Sequence, residues 1–87
     1  MLNEVLLEGT VIDSPECYGD FHAEFRVKVG NNDFDIVAEG DLAASVSKYI
    51  AKNDVLLMIG ELCGNEGNAW VHVRRIERRE EDLYAAV

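Results

Sequence analysis

Apolar and polar residues alternate along most of this chain, and only one stretch departs from that rhythm toward helical spacing. Val5, Leu7, Gly9 and Val11 alternate with Glu4, Leu6, Glu8 and Thr10, so residues 3–12 predict a first strand with one apolar and one mostly polar face. Gly9 in mid-strand marks a sharp bend, where one long strand serves two sheets of a small barrel. Residues 13–20 hold the only proline and a glycine and predict a loop. In residues 21–29 Ala23, Phe25, Val27 and Val29 face inward while His22, Glu24, Arg26 and Lys28 face out. A tight turn follows, with Gly30-Asn31 as type II′ and Asn31-Asn32 as type I′ both fitting. Residues 33–39 return as a third strand, with Phe34, Ile36 and Ala38 inward. Either turn keeps parity and sets bases opposite acids across the hairpin, Lys28 facing Asp33 or Asp35.

Leu42, Val46, Tyr49 and Ile50 recur at helical spacing and predict a helix over residues 42–51, capped by Asp41 and buried along that stripe. Residues 55–62 form an apolar fourth strand, residues 64–68 a flexible Gly/Asn-rich loop, and residues 69–77 a fifth strand. Val71 and Val73 share one parity and Ile76 the other, which predicts a bulge near Arg74-Arg75. The expected organisation is all-β: one domain over residues 1–78, a five-stranded OB-fold barrel with a helix between the third and fourth strands, then a short acidic tail over residues 79–87.

Composition sets a tension against that frame. Eighty-seven residues suffice for one modest core, and 48% hydrophobic content suits a folded globule. Yet 17 acidic residues stand against 8 basic ones, a net charge of −9. Glu4 and Glu8 interrupt the opening apolar run and no basic segment precedes it, which argues against a secretory signal. No apolar stretch approaches the roughly 20 residues that span a bilayer, so a cytoplasmic protein without membrane contact is expected. Cys17 and Cys63, 46 positions apart, then read as reduced thiols. His22 and His72 are single residues without ligand spacing, so neither metal nor cofactor is expected. Asp33, Asp35, Glu39 and Asp41 lack an EF-hand pattern or an accompanying nucleophile, and Cys17 has no base partner, so no enzyme is expected.

The order Asn3-x-Val5-x-Leu7-x-Gly9, Pro15-Glu16, Gly40-x-Leu42-Ala43, Tyr49-Ile50-x-Lys52 and Gly60-x-Leu62 resembles the single-stranded DNA-binding protein family, over about residues 3 to 76. The resemblance implies an OB-fold that binds single-stranded DNA without sequence preference, and the departures from the family pattern make that binding weak. It also implies a homo-oligomer, dimer or tetramer, and contacts with replication or repair proteins. Departures fall in the binding positions: Glu4 replaces a basic residue, and Asp33 and Glu39 stand where the family carries stacking aromatics. A substitute platform of basic residues interleaved with aromatics is expected from Arg26, Lys28, Trp70, His72, Arg74, Arg75 and Tyr18. The competing expectation is an interaction module that has kept the barrel and lost DNA binding. In it the arginine run pairs with neighbouring acids, and exposed Leu6 and Val37 serve a partner.

Overall fold

The computed structural model describes residues 3–19, 21–65 and 67–79. Six strands and one helix follow in the order β1 (Val5–Val11), β2 (Glu16–Cys17), β3 (His22–Val29), β4 (Asn32–Glu39), α1 (Asp41–Tyr49), β5 (Val55–Asn65) and β6 (Asn68–Arg78). The sheet order is β1-β5-β6-β4-β3-β2, and a further β1–β3 pairing closes it into a barrel. All pairings are antiparallel except β4 with β6. The five long strands are those the alternation predicts. The two-residue β2, paired to Ala23 and Glu24 of β3, was not expected, because two residues are too few to show a period.

Closure depends on β1 changing partners. Thr10 lies opposite Val55 of β5 and also opposite Lys28 of β3. A side chain at Gly9, one residue earlier, would put its Cβ 2.9 Å from the Lys28 carbonyl oxygen and from Val29 Cγ2. Glycine here lets the two backbones approach, as the mid-strand position suggested. The inward residues of every long strand then meet in one core, with Val11, Phe25, Val27, Ile36, Leu56, Met58, Val71 and Val73 all buried. No polar or charged side chain is buried among the described residues. The core is held by apolar burial, worth about 25 cal/mol per Å² of area removed from water.

The β3–β4 hairpin takes the Gly30-Asn31 turn, placing Val29 opposite Asn32, Lys28 opposite Asp33 and Arg26 opposite Asp35. Gly30 has φ 62°, as the first central position of a type II′ turn requires. The bulge also lies where the parity change put it. Ile59 faces Arg75 while Gly60 faces Val73, leaving Arg74 as the extra residue.

Three expectations need correction. Asp41 is the first helical residue and makes no capping hydrogen bond; Gly40, with φ 67°, holds the N-cap, and the Asp41 carboxylate instead adds negative charge to the first turn. The helix stops at Tyr49, where Ile50 turns extended, so only Ala43 and Val46 are buried and Tyr49 stands 56% exposed. The loop over residues 64–68 is instead the end of a long hairpin, with Gly64 opposite Ala69 and Asn65 opposite Asn68. The acidic tail expected over residues 79–87 lies, apart from Arg79, outside the described residues.

Candidate nucleic-acid interface

On the outer surface of β3, β4 and β6, under the loop that carries β2, runs an open groove of about 640 Å³. Strand parity builds it. Residues that alternate with buried Ala23, Phe25 and Val27 on β3, with Ile36 and Ala38 on β4, and with Val71 on β6 must face outward. His22, Glu24 and Arg26 come from β3, Asp35, Val37 and Glu39 from β4, and Trp70 and His72 from β6. Tyr18 and Glu16 close one side. The parallel β4–β6 pairing matters most, because Val37 opposite His72 brings the fifth expected strand against the hairpin.

Of the seven expected site residues, the groove gathers Tyr18, Arg26, Trp70 and His72. Lys28, Arg74 and Arg75 do not line it. Lys28 lies farther along the hairpin toward the turn, opposite Asp33. Arg74, displaced by the bulge, reaches Glu4 at 2.8 Å and Glu61 at 3.8 Å, a lateral ion pair between β6 and its neighbours. Arg75 is exposed opposite Ile59 of β5, on the outer face beyond the bulge and outside the groove lining. Phe21, the residue before β3, is 64% exposed and outside the lining.

The sequence reading did not place His22, Glu24 and Glu39 in this site. His22 Nε2 is 2.7 Å from Glu24 Oε2, and its Nδ1 is 3.5 Å from Glu39 Oε2. His72 Nε2 meets the other oxygen of the same Glu39 carboxylate at 2.9 Å. The hydrogen bond to Glu24 raises the His22 pKa above its ordinary 6.5, the Glu39 carboxylate adds to that rise, and desolvation opposes it. Arg26 donates from Nε to Asp35 Oδ1 at 3.1 Å, a contact that strengthens its charged form. Tyr18 donates its hydroxyl to Glu16 at 2.8 Å, which raises the phenol's pKa. The Tyr18 and His22 rings meet edge-on with centroids 5.9 Å apart.

The groove therefore carries five carboxylates (Asp13, Glu16, Glu24, Asp35, Glu39) against the one guanidinium of Arg26, a formal −4 with both imidazoles neutral. Stacking surface is present, but the groove's one guanidinium is already held by Asp35. Among the described residues no group of three His, Cys, Asp or Glu side chains is arranged to hold a metal ion. No helix among them is long and apolar enough to cross a membrane. Cys17 and Cys63 are free thiols.

No family model matches the chain. No curated protein matches it by sequence. Among solved structures, it is similar to a small single-stranded DNA-binding protein from Streptomyces coelicolor, at 21% identity, covering 91% of this chain and 94% of that one, with a TM-score of 0.77. The second single-stranded DNA-binding protein of Mycobacterium smegmatis is 23% identical, with 100% of this chain and 95% of that one covered and a TM-score of 0.77. An SSB domain from Synechococcus sp. is 22% identical, with 88% and 96% covered and a TM-score of 0.76. At such identities the likeness is one of fold: the chain is an OB-fold barrel of the kind that single-stranded DNA-binding proteins use.

Proposed function

We propose that this chain binds single-stranded nucleic acid, DNA in preference to RNA, weakly and without sequence preference, in the groove over β3, β4 and β6. It acts as a binding protein and not as an enzyme. The observation that carries this reading is the convergence of Trp70, Tyr18 and His72 with Arg26 on one open face of the barrel. Aromatic surface beside a cation is what a single strand requires, since every base has a face to stack and every linkage a charge. The similar structures are themselves named as single-stranded DNA-binding proteins or an SSB domain. The net charge of −9 and the acids around Arg26 account for weakness. Lys28, Arg74 and Arg75 contribute on either side of the groove as outlying phosphate contacts.

The protein also assembles with copies of itself, as a dimer or tetramer, in the cytoplasm. Leu6 is 66% exposed on the outer face of β1, opposite half-buried Ile59. The first half of β1 pairs only with β5, leaving its other edge open.

Fluorescence anisotropy of a labelled oligo-dT, at about 20 and 200 mM salt, tests the binding. The expected Kd at low salt is roughly 1–100 µM, weakening steeply as salt rises, since phosphate contacts release counterions. Absence of binding at low salt, where charges are least screened, overturns the reading.

A further inference from the structure

The acids in the groove are not all equivalent. We propose that Glu39 occupies the seat of a backbone phosphate, held there by His22 and His72, and that a single strand binds by displacing it. The inference rests on the groove's proposed role and adds to it an anion site and an internal competitor.

The geometry is that of a clamp. β4 lies between β3 and β6, and each neighbour contributes one imidazole to the same carboxylate. His72 Nε2 is 2.9 Å from Oε1 and His22 Nδ1 is 3.5 Å from Oε2, so each ring addresses a different oxygen. A phosphodiester, like a carboxylate, presents two equivalent oxygens sharing one negative charge. Two ring nitrogens that converge on the first, and donate to it when protonated, are already spaced for the second. Stacking surfaces flank the clamp, with Trp70 two residues from His72 on the same face and Tyr18 edge-on to His22. A strand with one phosphate in the clamp therefore has a ring on either side for its bases.

Displacement is feasible because Glu39 is not locked in. Its side chain is 57% exposed and sits at the end of β4, so a change of rotamer returns the carboxylate to water. Other charges face the two rings from every side. Glu24 and Arg26 come from β3, Asp35 from β4, and Glu16, Tyr18 and Asp13 from the β2 side. Glu61 of β5 lies opposite His72, with Arg74 paired to it. Among these acids Glu24 also touches His22 but lies on the opposite ring nitrogen. Among the described residues Glu39 is the one carboxylate that bridges both rings.

The test is oligo-dT anisotropy with the full 87-residue protein at about pH 6, below the ordinary imidazole pKa, in low salt. Three variants are compared with the wild type: Glu39→Gln, Asp13→Asn, and Glu39→Gln combined with His22→Gln and His72→Gln. Asp13 lines the same groove, so its variant reports the effect of removing one negative charge without opening the clamp. Glu39→Gln is expected to tighten binding about tenfold, Asp13→Asn by about threefold or less, and the triple variant to lose the gain. The altered side chains are at least one-third exposed, and circular dichroism checks that each variant is folded. A Glu39→Gln gain no larger than that of Asp13→Asn, or one that survives loss of both histidines, overturns the phosphate seat while leaving nucleic-acid binding in place. If neither wild type nor Glu39→Gln binds oligo-dT, both readings fall.

Discussion

Gly60 lies flat against the carbonyl of His72: a Cβ at position 60 would sit 2.5 Å from that oxygen and 2.8 Å from Val73 Cα. The contact occurs one residue from the bulge at Arg74, where β5 and β6 bend together. It ties the barrel's curvature to the backbone that presents His72 to the groove. The nearest atoms are all backbone atoms of His72 and Val73, so no flexible side chain can move aside. Gly60→Ala is therefore expected to lower unfolding stability by about 2–4 kcal/mol, measured by urea denaturation. A loss under about 0.5 kcal/mol would mean that the strands can part at no cost, and the close approach would not be structurally necessary.

Much of this barrel was legible in the alternation of residue types. The hairpin register followed from Gly30-Asn31 together with the base–acid pairs, and counting back along it places His22 opposite Glu39. That pair was therefore within reach of the sequence, although His22 read as an isolated residue and Glu39 as a missing aromatic or one of a group of acids. His72 was not within reach as its third member. Its contact with Glu39 depends on the parallel β4–β6 pairing, between residues 33 positions apart, and no local period encodes which strands become neighbours. Arg74 and Arg75 lie outside the groove lining for a related reason. The bulge itself could be inferred from parity, but the direction in which it turns each arginine depends on the strands alongside. Tyr49 shows the limit of periodicity in the helix, where the four-residue stripe is wider than the surface the barrel end covers.

Trp70 is the only tryptophan, so its fluorescence reports on the groove without a label. It is half-buried in the groove wall, with one part of the ring available to stack. Oligo-dT is expected to quench its emission along the same binding curve that anisotropy gives. Trp70→Ala should weaken binding by about 1–3 kcal/mol, the worth of one stacked base, with the fold retained. Saturating oligo-dT that leaves the emission unchanged would place the bound strand elsewhere on the barrel.

His22 links the site to pH. Its pKa is raised first by the hydrogen bond to Glu24 and then by Glu39, with desolvation opposing. A folded-state value above the unfolded one means that the imidazolium adds stability below about pH 6.5, and that this is lost as pH rises through the folded value. His22→Gln should therefore cost stability at about pH 5.5 and little at about pH 8.5, each compared with wild type in urea. Because the ring is partly exposed, the effect is expected to be small and to shrink with added salt. An equal cost at both pH values would assign His22 a packing role instead of a charged one.

The self-assembly proposed above uses the β1 face around Leu6, which is not part of the groove lining. Leu6, 66% exposed, stands opposite Ile59, while Glu8 beside it is opposite Leu57 and pairs with Arg79. This is an apolar strip with a charged border along a strand whose edge is open over its first half. A second copy would cover Leu6 and could satisfy that edge at once. Light scattering on a sizing column is expected to give a mass at least twice the 9.7 kDa of one chain. Leu6→Lys, which sets a charge against its own copy across a two-fold axis, should return the monomer without unfolding it, because Leu6 contributes little to the core. A wild type already monomeric at tens of micromolar, or a Leu6→Lys variant that still assembles, would remove this face as the interface and leave the barrel to bind as a single domain.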